Sequence, residues 1–474
     1  MQPVPNRRLS GLLSILAACL VPIESARGQF VEPDVRVHFE VSGDGRFGWA
    51  ISELADIDGD GAMELIVGAP FVNGVVGAGD GRCVVYSGAN GDVLMDLSAD
   101  GPGENFGWSV ADAGDANGDG VSDVLVGAPR RDAQRGAVYV FSGHPDSRGA
   151  LLQRVDGQRA GESFGYALAG LGDVDGDGTG EVAIGAPQSD SGAGVLNDGR
   201  VYVVSVMDAS VLHDIPGPVA GAQLGRGIGR IGDIDGDGAT DFAASATNAQ
   251  RAEVFSGATG EPLLVPLLPD TTAGAFGDFF VGPAGDANAD GIPDIYVGDY
   301  AADGNRGRVH VYSGANGSPL WQRGGGVDGI GRGLGCGRSA GDVNGDGHDD
   351  IVAGSYLAGQ ATVFSGADGS TLRSISATSP AGQLGFDSVG IGDVTGDGLA
   401  DLAISAAVGD TVYAIAGNCD ADLDGDGQAT IFDFLAFQNA FDAGDPIADF
   451  DGDGDLTIFD FLAFQNAFDI CADG

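Results

Sequence analysis

Short apolar runs alternate with glycine-rich and acidic segments along most of this chain. The run Leu65–Val67 and the β-branched and aromatic run at residues 138–141 are both followed closely by glycine, the pattern of strands that end in turns. The same order of segments returns with a period of about 50 to 60 residues, which leaves room for four short strands in each copy. The pattern predicts an all-β domain built from repeats.

Each of the seven copies carries the same landmarks. A Phe-Gly or Leu-Gly pair comes first, an acidic loop follows, and an apolar run then ends in Gly-Ala-Pro or, in copies four to seven, in a degenerate triplet. A third strand recurs downstream, as at residues 138–143 and 309–314. The opening pairs are Phe47-Gly48, Phe106-Gly107, Phe164-Gly165, Leu224-Gly225, Phe276-Gly277, Leu334-Gly335 and Leu384-Gly385.

These landmarks resemble FG-GAP repeats, the blades of the integrin alpha-subunit propeller, and the resemblance covers residues 35–417. It implies that residues 29–417 form a seven-bladed β-propeller, in which radial closure leaves only short, protected sheet edges. The last copy lacks the strand that follows the Ser-Gly turn elsewhere, and an unassigned strand lies at residues 35–41. We therefore predict that this first strand completes the seventh blade and closes the ring.

The acidic loops have the spacing of a cation site. Side-chain oxygens fall at positions one, three and five, a glycine at six and a carboxylate at nine, as a hard cation with about six to eight oxygen ligands requires. Calcium (Ca2+) fits this set best. The predicted ligands, loop by loop, are Asp56, Asp58, Asp60 and Glu64; Asp115, Asn117, Asp119 and Asp123; Asp173, Asp175, Asp177 and Glu181; Asp233, Asp235, Asp237 and Asp241; Asp286, Asn288, Asp290 and Asp294; Asp342, Asn344, Asp346 and Asp350; Asp393, Thr395, Asp397 and Asp401. In the alternative interpretation, the Asp-Gly pairs only form hairpin turns.

Residues 418–474 form a different module with two near-copies of another acidic loop, each followed by the same helix-forming segment. The closing carboxylate falls at position twelve, as in EF-hands, but it is Asp where EF-hands usually have Glu. The predicted ligands are Asp422, Asp424, Asp426, Asp433, Asp449, Asp451, Asp453 and Asp460. The module resembles a dockerin, which implies a small α-helical calcium-binding domain and a cohesin-like or other surface receptor. Cys419 and Cys471 bracket the two copies and are predicted to form a disulfide.

The first helix of this module has one apolar stripe, which we interpret as the core between the two helices. Its members are Ile431, Phe434, Leu435, Phe437 and Phe441. Phe432 and its copy Phe459 lie outside the stripe, and large exposed aromatic side chains mark binding surfaces, so both are predicted partner contacts. In the alternative, both fold back onto the core. Familiar dockerins carry small polar residues at these positions, so the receptor is predicted to differ from an ordinary cohesin.

Charge narrows the range of partners. The chain of 474 residues has 22 basic and 69 acidic side chains and a formal net charge of −47. Such a surface repels nucleic-acid phosphates and anionic lipids, which excludes both as partners. Apolar residues make up 43% of the chain, too many for an acidic disordered protein, so a folded core is expected.

The first 28 residues have the pattern of a signal peptide. Arg7 and Arg8 precede the apolar run 9–21, and Ala26 and Gly28 are the small residues that a signal peptidase reads, so cleavage is predicted before Gln29. The alternative is a lipoprotein anchored at Cys19. No later stretch reaches the length of about 18 apolar residues that a transmembrane helix needs, so we expect an exported, bacterial, cell-surface or extracellular protein.

Together these patterns favour a secreted, non-catalytic, calcium-binding propeller that binds a protein or glycan ligand in adhesion and is anchored by its C-terminal module. The first alternative is a polysaccharide-degrading hydrolase, which would need two carboxylates about 5 to 10 Å apart over a cleft. No such acid pair stands out in the sequence beyond the metal loops. The second alternative is a structural surface-layer protein.

Overall fold

The structure, a computed structural model, describes residues 29–32, 35–75, 78–190, 197–269, 274–396, 398–417, 421, 423, 430–444, 448, 450 and 456–472. Its strands form seven antiparallel sheets arranged as the blades of a propeller. The strands are β1 (Val37–Ser42), β2 (Ala50–Leu54), β3 (Glu64–Ala69), β4 (Arg82–Tyr86), β5 (Val93–Leu97), β6 (Ser109–Gly114), β7 (Asp123–Ala128), β8 (Ala137–Phe141), β9 (Leu151–Asp156), β10 (Leu168–Gly172), β11 (Glu181–Gly185), β12 (Arg200–Ser205), β13 (Val211–Pro216), β14 (Leu224–Gly232), β15 (Asp241–Ala246), β16 (Arg251–Phe255), β17 (Val281–Gly285), β18 (Asp294–Asp299), β19 (Arg308–Tyr312), β20 (Pro319–Gly324), β21 (Leu334–Gly341), β22 (Asp350–Ser355), β23 (Gln360–Phe364), β24 (Thr371–Ser376), β25 (Ser388–Gly390), β26 (Leu402–Ala406) and β27 (Thr411–Ile415). Short helical turns lie at Arg131–Gln134, Thr247–Ala249, Ala302–Asn305 and Pro380–Gly382.

Each blade follows chain order from its inner to its outer strand, except the seventh. Blades one to six consist of β2–β5, β6–β9, β10–β13, β14–β16, β17–β20 and β21–β24. In blade seven the order is β25, β26, β27 and then β1, with Val37 opposite Ile415 and Ser42 opposite Thr411. The first strand of the domain therefore closes the ring, and the predicted closure is confirmed.

Blade four differs from the expected four strands, because its sheet has only three in the described residues. The segment after β16 makes single bridges, Ala252 with Leu267 and Phe255 with Pro262, in place of a regular strand. Prolines at 262, 266 and 269 interrupt this segment. A proline has no N–H to donate to a sheet ladder, and three of them within eight residues disfavour a regular strand.

The hydrophobic core lies between neighbouring blades. One cluster joins Ile66 and Val85 of blade one to Val124 and Tyr139 of blade two, and equivalent clusters follow around the ring. The phenylalanine of an opening pair, such as Phe106, is fully buried in this layer. The repeated aromatic residue is therefore a packing residue of the blade interface.

Gly68 and Gly107 show why glycine recurs at this interface. A Cβ atom on Gly68 would lie 2.2 Å from the carbonyl oxygen of Gly107 in the next blade. Gly107 itself has φ of 83°, and a Cβ there would lie 2.3 Å from the Arg82 carbonyl oxygen. The glycine of the Phe-Gly pair and that of the preceding Gly-Ala-Pro therefore face each other where no side chain fits.

The C-terminal module contributes two helices, α1 (Ile431–Ala443) and α2 (Ile458–Ala472). They pack through stacked rings of Phe437 and Phe464, whose centroids are 4.3 Å apart. Leu399, in the acidic loop of blade seven, belongs to the same cluster and joins the helices to the propeller. No helix among the described residues combines the length and apolar character needed to cross a bilayer.

The predicted stripe of α1 is wrong in part. Phe434, Phe437 and Phe441 do pack between the helices, but Ile431 and Leu435 are 62% and 45% exposed. The buried face centres on Phe437, and α1 turns Ile431 and Leu435 away from it, towards the side that carries Phe432. Because α1 has large apolar residues on two faces, its sequence does not indicate which of the two faces is buried.

Candidate functional site

The seven acidic loops share one face of the propeller, because each connects the inner strand of a blade to its second strand. Within the first loop the carboxylate of Asp56 accepts the N–H groups of Gly59 at 2.6 Å and Gly61 at 2.9 Å. The same two contacts recur around Asp115, Asp173, Asp233, Asp342 and Asp393. Position one therefore shapes the turn as well as offering oxygen ligands, which is part of the hairpin-turn alternative.

Three loops bring acidic oxygens close together. In each of them the ligand atoms of three side chains lie within 4.8 Å of one another. The groups are Asp56, Asp58 and Glu64; Asp173, Asp175 and Glu181; and Asp233, Asp235 and Asp241. These are the loops with Asp at position three, whereas Asn or Thr stands there in the other four, where the described residues form no such group of three acids.

We call the position-nine carboxylate of each loop its base, and the side chains at positions three and five its tip. All seven base residues are fully buried. They are Glu64, Asp123, Glu181, Asp241, Asp294, Asp350 and Asp401. The tip residues that the structure describes are exposed or half-buried.

The base carboxylates clamp backbone N–H groups. Glu64 accepts from Ile57, at position two of its own loop, and from Gly88, in the turn after the third strand, both at 3.1 Å. Asp350 accepts from Val343 and Gly366 in the same way, both at 2.9 Å. From the sequence this carboxylate is predicted only as a cation ligand, and the clamp is an additional structural role that the sequence does not reveal.

Burial makes the base carboxylates hard to ionise. It raises the pKa of Glu64, Glu181 and Asp350 to about 7. It raises the pKa of Asp123, Asp241 and Asp294 to about 6, although the backbone N–H bonds act in the opposite direction. The loop carboxylates nearby add to the increase, so a cation among them would lower the free energy of the ionised site.

The surroundings of Glu181 show whether a cation would fit the third loop. Its Oε2 accepts the Val174 N–H at 2.9 Å, but its buried Oε1 has no hydrogen-bond partner among the described residues. A buried carboxylate oxygen without a partner is costly, and here it lies in the acidic group of the third loop. A hard cation with oxygen ligands would satisfy it, and the donor set is one that calcium prefers. The assignment of all 28 propeller ligands stays a prediction.

The C-terminal loops can be described only in part. Asp433 and Asp460 are buried; Asp433 accepts the Thr430 N–H at 2.8 Å, and Asp460 accepts that of Thr457 at 2.6 Å. Each lies in the first turn of its helix and helps to cap it by accepting the N–H of the residue just before the helix. The other predicted ligands of this module, together with Cys419, the side chain of Cys471, Asp397 and residues 1–28, lie outside the described residues. Cys83 and Cys336 are buried free thiols.

Phe432 and Phe459, the predicted partner contacts, are 65% and 63% exposed. The alternative in which they fold back onto the core is wrong. Ile431 and Leu435 on α1, with their copies Ile458 and Leu462 on α2, are exposed as well. Each helix thus presents three large apolar side chains, of which the sequence analysis had selected one.

A second feature that sequence reasoning missed is a cavity of about 340 Å³ on the propeller axis, lined by residues from all seven blades. Trp49, Trp108, Tyr166 and Phe386 line one end, and each directly follows a Phe-Gly or Leu-Gly pair. The sequence did contain a signal for this cavity, because an aromatic residue follows the pair in four of the seven copies. Because the inner strands run from these pairs to the acidic loops, the aromatic end lies opposite the loop face.

Comparison with known proteins agrees with the fold. The family model described as FG-GAP repeat matches residues 106–141 and 164–204, and the one described as FG-GAP-like repeat matches residues 342–404. Integrin alpha-4 of Xenopus laevis is 36% identical over 174 residues, which are 34% of this chain and 17% of that protein. Integrin alpha-PS3 of Drosophila melanogaster is 37% identical over 164 residues, or 32% of this chain and 14% of the relative.

Human integrin alpha-IIb is 32% identical over 226 residues, or 45% of this chain and 21% of the relative. The chain therefore matches less than a quarter of the length of each of these curated relatives. The dockerin-like interpretation of residues 418–474 rests on the sequence alone and stays a prediction. Within residues 29–417, the repeats, the seven sheets and the relatives together support a β-propeller of FG-GAP repeats that is similar to the propeller of integrin alpha chains.

Proposed function

We propose that this chain is a secreted, non-catalytic, calcium-binding propeller that binds a protein or glycan ligand in adhesion and is held at a surface by its C-terminal module. The observation that carries the proposal is the set of three acidic groups on one face of an integrin-alpha-like propeller. In this proposal the loops bind calcium as a structural ion, and the opposite face is free for the ligand. Export follows from the predicted signal peptide at residues 1–28.

Calcium would act here through oxygen ligands and charge. When bound, the ion neutralises carboxylates that the fold crowds together. The chain supplies the rest: position one shapes the turn, the tip offers oxygens, and the base ties the loop to the turn after the third strand. Binding of calcium to the folded chain alone would stabilise it by mass action.

The anchor in this proposal is the exposed apolar face of the C-terminal helices. Phe432 and Phe459 would contact a cohesin-like or other surface receptor, with Ile431 and Ile458 beside them. Exposed apolar groups of this size on a charged protein are typical of binding surfaces. The net charge of −47 favours a receptor surface that is not itself strongly acidic.

Binding of the purified full chain to envelopes of the producing cell tests the anchor. We expect retention in calcium, and release when Phe432→Ser and Phe459→Ser are combined. Val265→Ser is the matched control, since it removes another exposed apolar side chain, 70% accessible, from blade four. Equal retention of the double variant and the wild type would rule out the proposed anchor.

The hydrolase alternative has one observation in its favour. Inside the axial cavity Glu53 and Asp112 both face Arg230, whose nitrogens lie 3.3 Å from the Glu53 carboxylate and 4.0 Å from that of Asp112. Two carboxylates in one cavity are the minimum for glycoside hydrolysis. Release of reducing sugar from a polysaccharide by the wild type, lost in a folded Asp112→Asn variant, would favour this alternative over the non-catalytic proposal.

A further inference from the structure

The axial cavity has the size of a small ligand site. Its volume of about 340 Å³ is at the lower end of the range for ligand pockets, about 300 to 1,000 Å³. Small residues such as Ala111, Ala169 and Gly229 line its middle and leave the axis open. Arg338 lies deep in the propeller and still keeps 22% of its side chain accessible, an exposure that it owes to the cavity.

Aromatic rings form the end of the cavity opposite the acidic loops. The Trp49 ring lies 5.1 Å from those of Trp108 and Phe386, and Trp108 lies 5.3 Å from Tyr166. All four are half-buried, so part of each ring remains free to contact a ligand. Partly exposed tryptophan rings are surfaces on which flat apolar groups stack.

Phe279 reaches across this end from blade five. Its ring stacks on Tyr166 at 5.3 Å and contacts Trp49 and Trp108 at 6.5 and 6.1 Å, so it meets blades one, two and three. Its φ of 67° is in the left-handed region, which is rare and strained for a large side chain. Strain of this kind is retained where the position of a side chain matters, and here it holds a ring over the axis.

Every carboxylate that lines the cavity lies within 4.0 Å of an arginine. Arg338 donates to Asp387 at 2.6 Å, and Arg230 is shared between Glu53 at 3.3 Å and Asp112 at 4.0 Å. Near the aromatic end Arg226 and Asp278 form a two-bond ion pair at 2.7 and 3.0 Å. Arginine paired with a carboxylate offers donors and acceptors side by side without a free charge.

This pairing bears on the chemistry of the occupant. A cationic ligand would compete with arginines already bound to the carboxylates, and the Tyr166 face already has Arg226 over it, 5.4 Å from the ring centroid. An anionic ligand would meet arginines whose charge is already compensated. A neutral ring with hydroxyl groups suits both surfaces, since it has apolar C–H faces for the aromatic end and hydroxyls for the paired groups.

We propose that the axial cavity binds a neutral pyranose sugar, stacked on Trp49 and Trp108 and hydrogen-bonded by Glu53 and Arg338. The proposal rests on the ligand-binding function proposed above and names its site and its ligand class. The sugar reaches the cavity either free or as the end of a glycan chain, and its chemistry is the same in both cases.

Tryptophan fluorescence of the full chain in calcium tests this proposal, because two of the three tryptophans line the cavity. The probes are methyl glycosides of glucose, galactose, mannose and N-acetylglucosamine. We expect at least one to change the emission in a saturable way and to show saturation-transfer NMR signals. A matching oligosaccharide that binds more tightly indicates a glycan end, and equal affinity indicates a free sugar.

Two variants place the binding at the cavity. Trp108→Leu is expected to raise the dissociation constant of the glycoside by about two- to tenfold, because stacking on the ring is lost. Glu53→Gln keeps the shape of the side chain and is expected to raise the dissociation constant by about tenfold, because a charged acceptor is lost. Binding to this variant is measured by NMR, and it tests the site alone if Trp108→Leu fails to fold. Asp96→Asn is the control, since it breaks an exposed ion pair with Arg82 outside the cavity.

N-acetyl-arginine amide and glucuronate are the cationic and anionic comparison ligands. Three results overturn the proposal. Either no glycoside binds the folded chain at millimolar concentration, or both cavity variants bind glycoside as well as the wild type does, or only one of the charged ligands binds. If glycosides fail while the chain still adheres to cell envelopes in calcium, this inference fails and the proposed function stands. If both fail, the proposed function fails as well. Hydrolysis of a glycoside would overturn the non-catalytic proposal.

Discussion

The tip and the base of the acidic loops share one motif but have different environments. The tips offer exposed or half-buried oxygens, and in three loops the position-three oxygen comes within 4.8 Å of the base carboxylate. The bases are fully buried, and all except Glu181 accept backbone N–H groups from two parts of the blade. One short acidic repeat can therefore serve both blade assembly and cation binding, and substitutions at the two ends should separate these roles.

The largest effect is expected from removing a base. Asp350→Ala leaves the Val343 and Gly366 N–H groups buried without their acceptor, which should cost about 2 to 4 kcal/mol of unfolding free energy. The loss should already be present in chelator, measured by chemical denaturation, and should be larger in calcium because Asp350 is also a predicted ligand of the ion. Asp346→Ala, at the exposed tip of the same loop, is the control and should change the chelator value by less than about 0.5 kcal/mol.

Removing the position-three carboxylates of the three acidic groups should abolish a comparable stabilisation, but only in calcium. At a calcium concentration of about three times the dissociation constant, each site adds about 0.8 kcal/mol, or about 2.5 kcal/mol for the three together. Combining Asp58→Ala, Asp175→Ala and Asp235→Ala should remove most of the calcium-dependent rise in melting temperature and leave the chelator value nearly unchanged. A triple variant of Asp44, Asp92 and Asp146, exposed acids outside the loops, should keep the full calcium response.

Much of this architecture was accessible from the sequence. Opening pairs such as Phe47-Gly48 and the acidic loops located seven blades, and the unassigned strand at 35–41 predicted the closure seen between β1 and β27. These features were predictable because each repeat carries its own copy of a local pattern. The outer strand that blade four lacks among the described residues also had a local signal in the sequence, the prolines at 262, 266 and 269, but the regular count of repeats favoured four strands.

What the sequence did not reveal depends on contacts between distant residues. Gly88 lies 24 residues from Glu64, so the clamp appears only when the blade has formed. The axial cavity joins residues from seven copies, and no single copy indicates it. Ile431 and Leu435 were assigned to the core because α1 has apolar residues on two faces, and only the packing against α2 separates them.

Two bases differ in a way that sharpens the comparison. Both oxygens of Glu64 accept N–H groups, whereas Oε1 of Glu181 has no partner among the described residues. A glutamine replaces one acceptor oxygen with an NH2 donor. At position 64 this donor would face a backbone N–H, whereas at position 181 it can take the place of Oε1, which faces no N–H group among the described residues. In chelator, Glu64→Gln should therefore cost about 1 to 3 kcal/mol more than Glu181→Gln by chemical denaturation. Equal costs would contradict the clamp.

The smallest expected effect is a gain. In the seventh loop the base is in place, since Asp401 accepts from Val394 at 2.8 Å and Gly417 at 2.6 Å, but Thr395 leaves the tip short of a carboxylate. Thr395→Asp should add about 0.5 to 1 kcal/mol of calcium-dependent stability, which is the value for a weak site when the calcium concentration is a few times its dissociation constant. Thr395→Val should add none, and the melting temperature in calcium distinguishes the two.

Calcium titration of the chelator-treated full chain by isothermal calorimetry tests the central claim most directly. We predict saturable binding at several sites, of which at least three disappear when Asp58, Asp175 and Asp235 are all replaced by alanine. No binding heat, together with identical melting in calcium and in chelator, would contradict the claim that these loops bind the ion.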